Sequence, residues 1–240
     1  LEWADLMVSR GNIYSAWAFT LMLDDFMRNI REIATNGNLA ANSYQLALTV
    51  YSETSTPHEW AKTQSLLSDA LKTSILSEDI KNHETSEKIR IYEKVITARR
   101  LAQKIHTQNL HPEEWLDLQI GIADTIRAIA VLSEIEKKSD FYNEAASAYL
   151  LAASSIKSER TPSLYHAAAY NILLQTLTLT GEERFKRTED ALHLLVKARD
   201  NAFNENEKAI YQFATAKTLY ELAKLAEQSQ KTIFYAKSRK

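Results

Sequence analysis

The sequence predicts an all-α fold, a right-handed α-solenoid of stacked helical hairpins, and three observations carry that expectation. All three prolines stand three residues ahead of a large aromatic, in Pro57-His58-Glu59-Trp60, Pro112-Glu113-Glu114-Trp115 and Pro162-Ser163-Leu164-Tyr165. Self-similarity at a period of some tens of residues is the mark of a stacked array. An alanine stands 13 residues before each aromatic, at Ala47, Ala102 and Ala152, and Ala198 stands at the same offset before Tyr211, which continues the series without a proline. Finally, the 240 residues include only four glycines and three prolines, far below the usual share of about 7% and 5%, so turns are few and regular elements long.

Counting Trp3 as the first member, the aromatics are spaced by 57, 55, 50 and 46 residues. Seven positions before each alanine lies a second small residue, giving Ala40-x3-Tyr44-x2-Ala47, Val95-x3-Arg99-x2-Ala102, Ala145-x3-Tyr149-x2-Ala152 and Ala191-x3-Leu195-x2-Ala198. Small residues two turns apart on one stripe let a neighbouring helix approach closely, while the larger residue between them fills the adjacent groove. Each unit is therefore expected to pair a first helix, opening at the aromatic motif, with a second helix that carries the small stripe. The expected pairs are 2–34 with 38–54, 57–79 with 84–107, 112–136 with 140–158, 162–179 with 183–201, and 205–228 with an incomplete partner from about 231. They make one helical-repeat domain over 1–240, in units 1–55, 56–109, 110–159, 160–203 and an incomplete 204–240.

The helix starts have a chemical basis. Thr56 and Thr161 precede a proline suited to the first helical position, where its missing N–H costs nothing. Thr56 with Glu59, Thr180 with Glu183 and Asn204 with Glu207 have the spacing of a capping box. Asn36-Gly37-Asn38 and Thr180-Gly181 are expected to end helices, because glycine can enter the left-handed conformation that closes them. Gly11 and Gly121 fall inside expected helices; Gly11 is a point where the first helix can break, and Gly121 a point of close approach to another helix.

Bulk composition removes several classes of function. With 45% hydrophobic residues the chain is expected to fold, and with no cysteine it has neither disulfides nor thiolate chemistry nor Cys-ligated zinc. A net charge of −2 supplies no overall attraction to nucleic acid or anionic membranes. Residues 1–60 carry 3 bases and 7 acids, whereas residues 181–240 carry 12 and 9, which reads as unevenly charged solvated faces. The stretch Ala16 to Leu23 is interrupted by Thr20 and too short to span a membrane. The sequence is read as cytoplasmic, and its opening at Leu1 as that of a segment from something larger.

The small-x3-large-x2-small stripe on the second helix of each pair resembles the tetratricopeptide repeat. Trp60-Ala61-Lys62-Thr63-Gln64-Ser65-Leu66-Leu67-Ser68-Asp69-Ala70 is similar to the first helix of the longer variants found in bacterial multidomain regulators, and Leu219-Tyr220-Glu221-Leu222-Ala223-Lys224-Leu225 also resembles a first-helix motif. Where that family has a glycine on the first helix, this chain has Ser68, Ala123 and Leu173. The resemblance implies that successive first helices line a concave surface.

Candidate functional residues follow from that implication. Gln64, Asp69 and Lys72 recur as Gln119, Asp124 and Arg127, each 55 residues on, and an acid and a base at i, i+3 are neighbours on a helix surface. With Tyr170, these six form the expected partner-binding face; their bland alternative is a row of ordinary surface ion pairs. Trp60, Trp115 and Tyr165 suit packing between repeats better than ligand stacking. Trp17, Phe19, Phe26 and Met27 on the first helix are more than one neighbour requires, and a sandwiched helix is favoured over an exposed patch.

Of the six histidines, His58, His83, His106, His111, His166 and His193, none forms a His-Glu-x-x-His pair, so no metal or other cofactor is expected. Arg99-Arg100 with Lys104, and the tail Lys231, Lys237, Arg239 and Lys240, are basic without the aromatic platforms of single-strand binders. No phosphate loop, nucleophile elbow or kinase signature is present. The expected function is a non-catalytic protein-interaction scaffold or sensor module for a protein or peptide partner, as in the recognition segment of a larger bacterial regulator. A self-associating homo-oligomeric module is the alternative, and a helical hydrolase or transferase a remote third.

Overall fold

The aromatic register and the alanine stripe mark where helices meet. A computed structural model describes residues 1–76, 85–155 and 157–238, with side chains as far as residue 227 in the last helix. The fold is all-α and of the helical-repeat solenoid class. Its elements among the described residues are α1 (Glu2–Ala47), α2 (Pro57–Ser74), α3 (Thr85–Ala102), α4 (Pro112–Leu132), α5 (Ile135–Ser155), α6 (Thr161–Thr176), α7 (Gly181–Asp200) and α8 (Glu205–Ser238). Two compact units divide the chain, Leu1–Leu132 and Ser133–Lys240. In the first, α1 packs on α2, α2 on α3 and α3 on α4; in the second, α5 packs on α6, α6 on α7 and α7 on α8.

The stripe is buried throughout. Ala40, Ala47, Val95, Ala102, Ala145, Ala152, Ala191 and Ala198 are completely inaccessible, which is how side chains of this size permit close helix contact. In the first unit, Ala47 and Ala102 share a cluster with Ala4, Met7, Tyr51, Trp60, Ala61 and Leu118. Ala40 and Val95 join Ala41, Tyr44, Leu67, Ala70 and Leu71 in a second. Trp60 is thus a core residue.

The first hairpin departs from expectation. α1 does not end at Gly37; it turns at Asp25, whose φ of −149° and ψ of 95° interrupt the helical path. Asp25 Oδ1 accepts the Arg28 N–H at 3.1 Å, so an acidic side chain starts the second arm as an N-cap does. Gly37 stays inside that arm because α2 comes too close for a side chain: a Cβ there would lie 2.7 Å from the Ser74 backbone nitrogen. Nor does Gly11 break the first arm. Tyr44, fully buried, occupies the space a Gly11 side chain would need and donates its hydroxyl to Asn12 Oδ1 at 3.0 Å.

Several helix ends also differ. Thr56 and Thr180 sit at N-caps without a side-chain capping bond. Thr56 Oγ1 instead accepts the Ser52 N–H at 3.0 Å, and Thr161 Oγ1 accepts the Ser158 N–H at 3.0 Å, so both threonines brace the loop before the proline. Asn204 does cap α8, accepting the Glu207 N–H at 2.9 Å, while the Glu207 carboxylate takes the Phe203 N–H at 3.1 Å. Gly181 has the expected positive φ, 59°, but opens α7 rather than closing α6. α8 runs to Ser238 without the expected interruption near 229–231. The expected end of the third helix at 79 and start of the fourth at 84 lie outside the described residues, as does His83.

Candidate partner-binding surfaces

The polar row in the first unit is only partly on the surface. Gln64 and Gln119 are buried, and Gln119 Oε1 accepts a hydrogen bond from Gln103 Nε2 at 3.0 Å, tying α4 to the turn that follows α3. Asp69 is exposed and pairs with Arg99 Nη2 at 2.8 Å. Lys72 is exposed, and Asp124 pairs with Arg127 at 3.3 Å, both half-exposed. Asp69, Lys72, Asp124 and Arg127 therefore reach solvent, whereas the two glutamines serve helix packing.

Arg99 is read from the sequence only as a large position of the stripe and part of a basic group, and its buried role was not foreseen. Its side chain is buried; Nε donates to Ser68 Oγ at 3.0 Å and Nη2 to Asp69, while Nη1 is buried without a partner among the described residues. A Cβ on Gly121 would fall 1.1 Å from Nη1. The close approach expected at Gly121 is thus that of a guanidinium, not of a helix backbone. Arg187 plays a comparable part in the second unit, binding Gln175 Oε1 through Nε at 2.9 Å and Asn143 Oδ1 through Nη2 at 2.7 Å.

Tyr170 belongs to the second unit, on the wall of a cavity of about 570 Å³ between α6, α7 and α8. Each helix contributes one stripe. His166, Tyr170, Leu173 and Leu174 come from α6 and Leu177 from its C-cap; Arg184, Thr188 and Leu195 from α7; Phe213, Lys217, Glu221 and Leu225 from α8. His166 lies against the Tyr211 ring, centroids 5.2 Å apart, and burial lowers its pKa. Glu221 is drawn toward Lys224 at 3.7 Å.

Loop packing also assembles an imidazole cluster that sequence spacing concealed. His58, His106 and His111 have ring centroids 5.5, 6.1 and 5.2 Å apart. His106 is buried with Nε2 unpartnered among the described residues, and its pKa is lowered by burial first, then by His111 and His58, with Glu114 opposing. Among the described residues no group of three His, Asp or Glu side chains is arranged to hold a metal ion. His58 follows one proline of the repeat and His111 precedes the next, so their common end of adjacent pairs was readable; the approach of His106 was not.

The first helix is not sandwiched. Trp17, Phe19, Phe26 and Met27 are exposed, and so are Ile13 and Leu23. Trp17 Nε1 donates to Glu32 across the two arms at 3.0 Å, leaving much of its ring in solvent. Among the described residues no helix is long and apolar enough to cross a membrane.

No protein-family model and no curated protein matches the chain. A solved structure described as a computational design of self-assembling cyclic protein homooligomers aligns with 96% of this chain and 97% of its own, at 14% identity and a TM-score of 0.34.

Proposed function

We propose that the protein is a non-catalytic interaction module that holds a protein or peptide partner on its exposed helix faces. The observation supporting this reading is the apolar surface of α1, where Ile13, Trp17, Phe19, Leu23 and Met27 are each at least half exposed. Apolar side chains left uncovered in such number mark an interaction site. Asp69, Lys72, Asp124 and Arg127 provide charged positions that orient the partner, and Tyr170 is a further contact in the second unit. The action is capture rather than turnover, and a cytoplasmic setting goes with it.

A peptide-display selection against the immobilised chain tests the reading. Selected peptides are expected to lose binding to Trp17→Asp/Leu23→Asp, or to the charge reversal Asp69→Lys/Asp124→Lys, with helical circular dichroism unchanged. Undiminished binding to both variants overturns the assignment.

The same surface supports a second reading, in which the occupant is another copy of the chain. Light scattering over a concentration series decides this: a mass that rises and is held at the monomer value by Trp17→Asp/Leu23→Asp favours self-association, and a constant monomer removes it.

A further inference from the structure

We propose that the cavity between α6, α7 and α8 is a binding site for a small amphipathic carboxylate, an acyl or aryl chain whose charged end lies at Arg184 and whose body lies along the leucines. This goes beyond the protein-partner reading and uses different residues.

The volume, about 570 Å³, falls within the roughly 300–1,000 Å³ typical of small-molecule sites. Its walls have the division of labour such a ligand requires. Leu173, Leu174, Leu177, Leu195, Phe213 and Leu225 form the apolar part. The polar part is cationic. Arg184 Nε is buried without a hydrogen-bond partner among the described residues, and leaving such a donor unmade is costly, more so on a charged group. Lys217 makes no ion pair among the described residues. Glu221, the acid on the wall, is drawn toward Lys224 rather than toward either cation. The hydroxyls of Thr188 and Thr218 donate to the carbonyls of Arg184 and Ala214, at 2.7 and 2.9 Å, and neither accepts from Arg184 Nε.

A carboxylate is the complementary group. An arginine takes it through two parallel N–H bonds, Nε and one Nη together, in a geometry that a hydroxyl or amide cannot match. His166 is displaced toward its neutral form by burial, so it adds a donor or acceptor without adding charge. Its ring packs at a tilt against Tyr211, one turn before Tyr170 on α6.

Calorimetric titration of the full chain with decanoate, against decanol as the neutral probe, tests the site. Decanoate is expected to bind at least about tenfold more tightly, the factor equivalent to about 1.4 kcal/mol. Arg184→Met should abolish that preference, Arg184→Lys should restore part of it, and Leu174→Trp, which fills the cavity, should remove binding of both probes. Should Leu174→Trp fail to fold, Ala214→Trp, on the α8 wall, serves the same purpose. Equal binding of the two probes, or a preference that persists in Arg184→Met, overturns the carboxylate assignment; no binding of either overturns the site. Trp17→Asp/Leu23→Asp is expected to leave decanoate binding unchanged, so this result and the fate of the α1 surface are read separately.

Discussion

Arg99 and Gly121 occupy one space: the guanidinium of the first lies where any side chain on the second would have to be, 1.1 Å from the position of a Cβ. Placing an alanine at 121 must expel the guanidinium from its bonds to Ser68 and Asp69. Hydrogen bonds to charged groups contribute about 1.5–3 kcal/mol, and the gain in helix propensity returns at most about 1 kcal/mol. Gly121→Ala is therefore expected to destabilise by about 1–2 kcal/mol in urea unfolding. With Arg99→Ala already present, the same change should be neutral or stabilising. A double-mutant cycle with no coupling would refute the shared space.

Acid should weaken the first unit through His106. Its folded pKa is depressed below the ordinary 6.5 by burial and by the neighbouring imidazoles, so the unfolded chain binds the proton more readily. The stability is complete above about pH 6.5 and is lost as pH falls from there through the folded pKa. Thermal midpoints are expected to decline over that window, and His106→Leu to flatten the decline. An unaltered slope in the variant would place the effect elsewhere.

Alkali should act through Tyr51. Its phenol bonds to Asp5, and burial, that bond, and the charges of Asp5 and Glu59 push its pKa up to about 12. The contribution to stability is intact below about pH 10, the unfolded value, and is lost as pH rises through the folded pKa. Ultraviolet titration should show a tyrosine ionising late, and Tyr51→Phe should remove that component; a full complement of ordinary titrations in the native chain would contradict it.

Enlarging the alanine stripe should cost more than the added volume suggests. Ala152 is completely buried, and overpacking a filled core costs about 1–3 kcal/mol. Ala152→Leu is expected to lower the unfolding midpoint accordingly, whereas Ala216→Leu, on the exposed side of α8, should stay within about 0.5 kcal/mol. Equal effects would mean that the stripe does not set helix spacing.

How much could be read beforehand divides along physical lines. The stripe of Ala47, Ala102, Ala152 and Ala198 was legible because small residues at a fixed offset have one structural use, and the helices from α2 to α7 follow from it closely. The corner at Asp25 was missed because glycine outranks aspartate as a helix breaker, yet Gly37 was needed for proximity to α2. Gln64 and Gln119 repeat as faithfully as Asp69 and Asp124, and spacing alone does not separate a buried amide from a surface carboxylate. Arg99 lay hidden in an apolar pattern whose partner, Gly121, is 22 residues away. The cavity beside Tyr170 is assembled from three helices, and of its wall the sequence offered only Tyr170 as a binding residue.

The division at Leu132 carries an optical consequence. Trp3, Trp17, Trp60 and Trp115 account for all four tryptophans, and every one belongs to the first unit. Indole emission is thus a private signal of residues 1–132, while peptide-bond ellipticity sums over both units. Recorded together during a denaturant ramp, the two spectra report cooperativity directly: superimposed curves mean the halves melt as one, and a gap between them gives each half its own free energy.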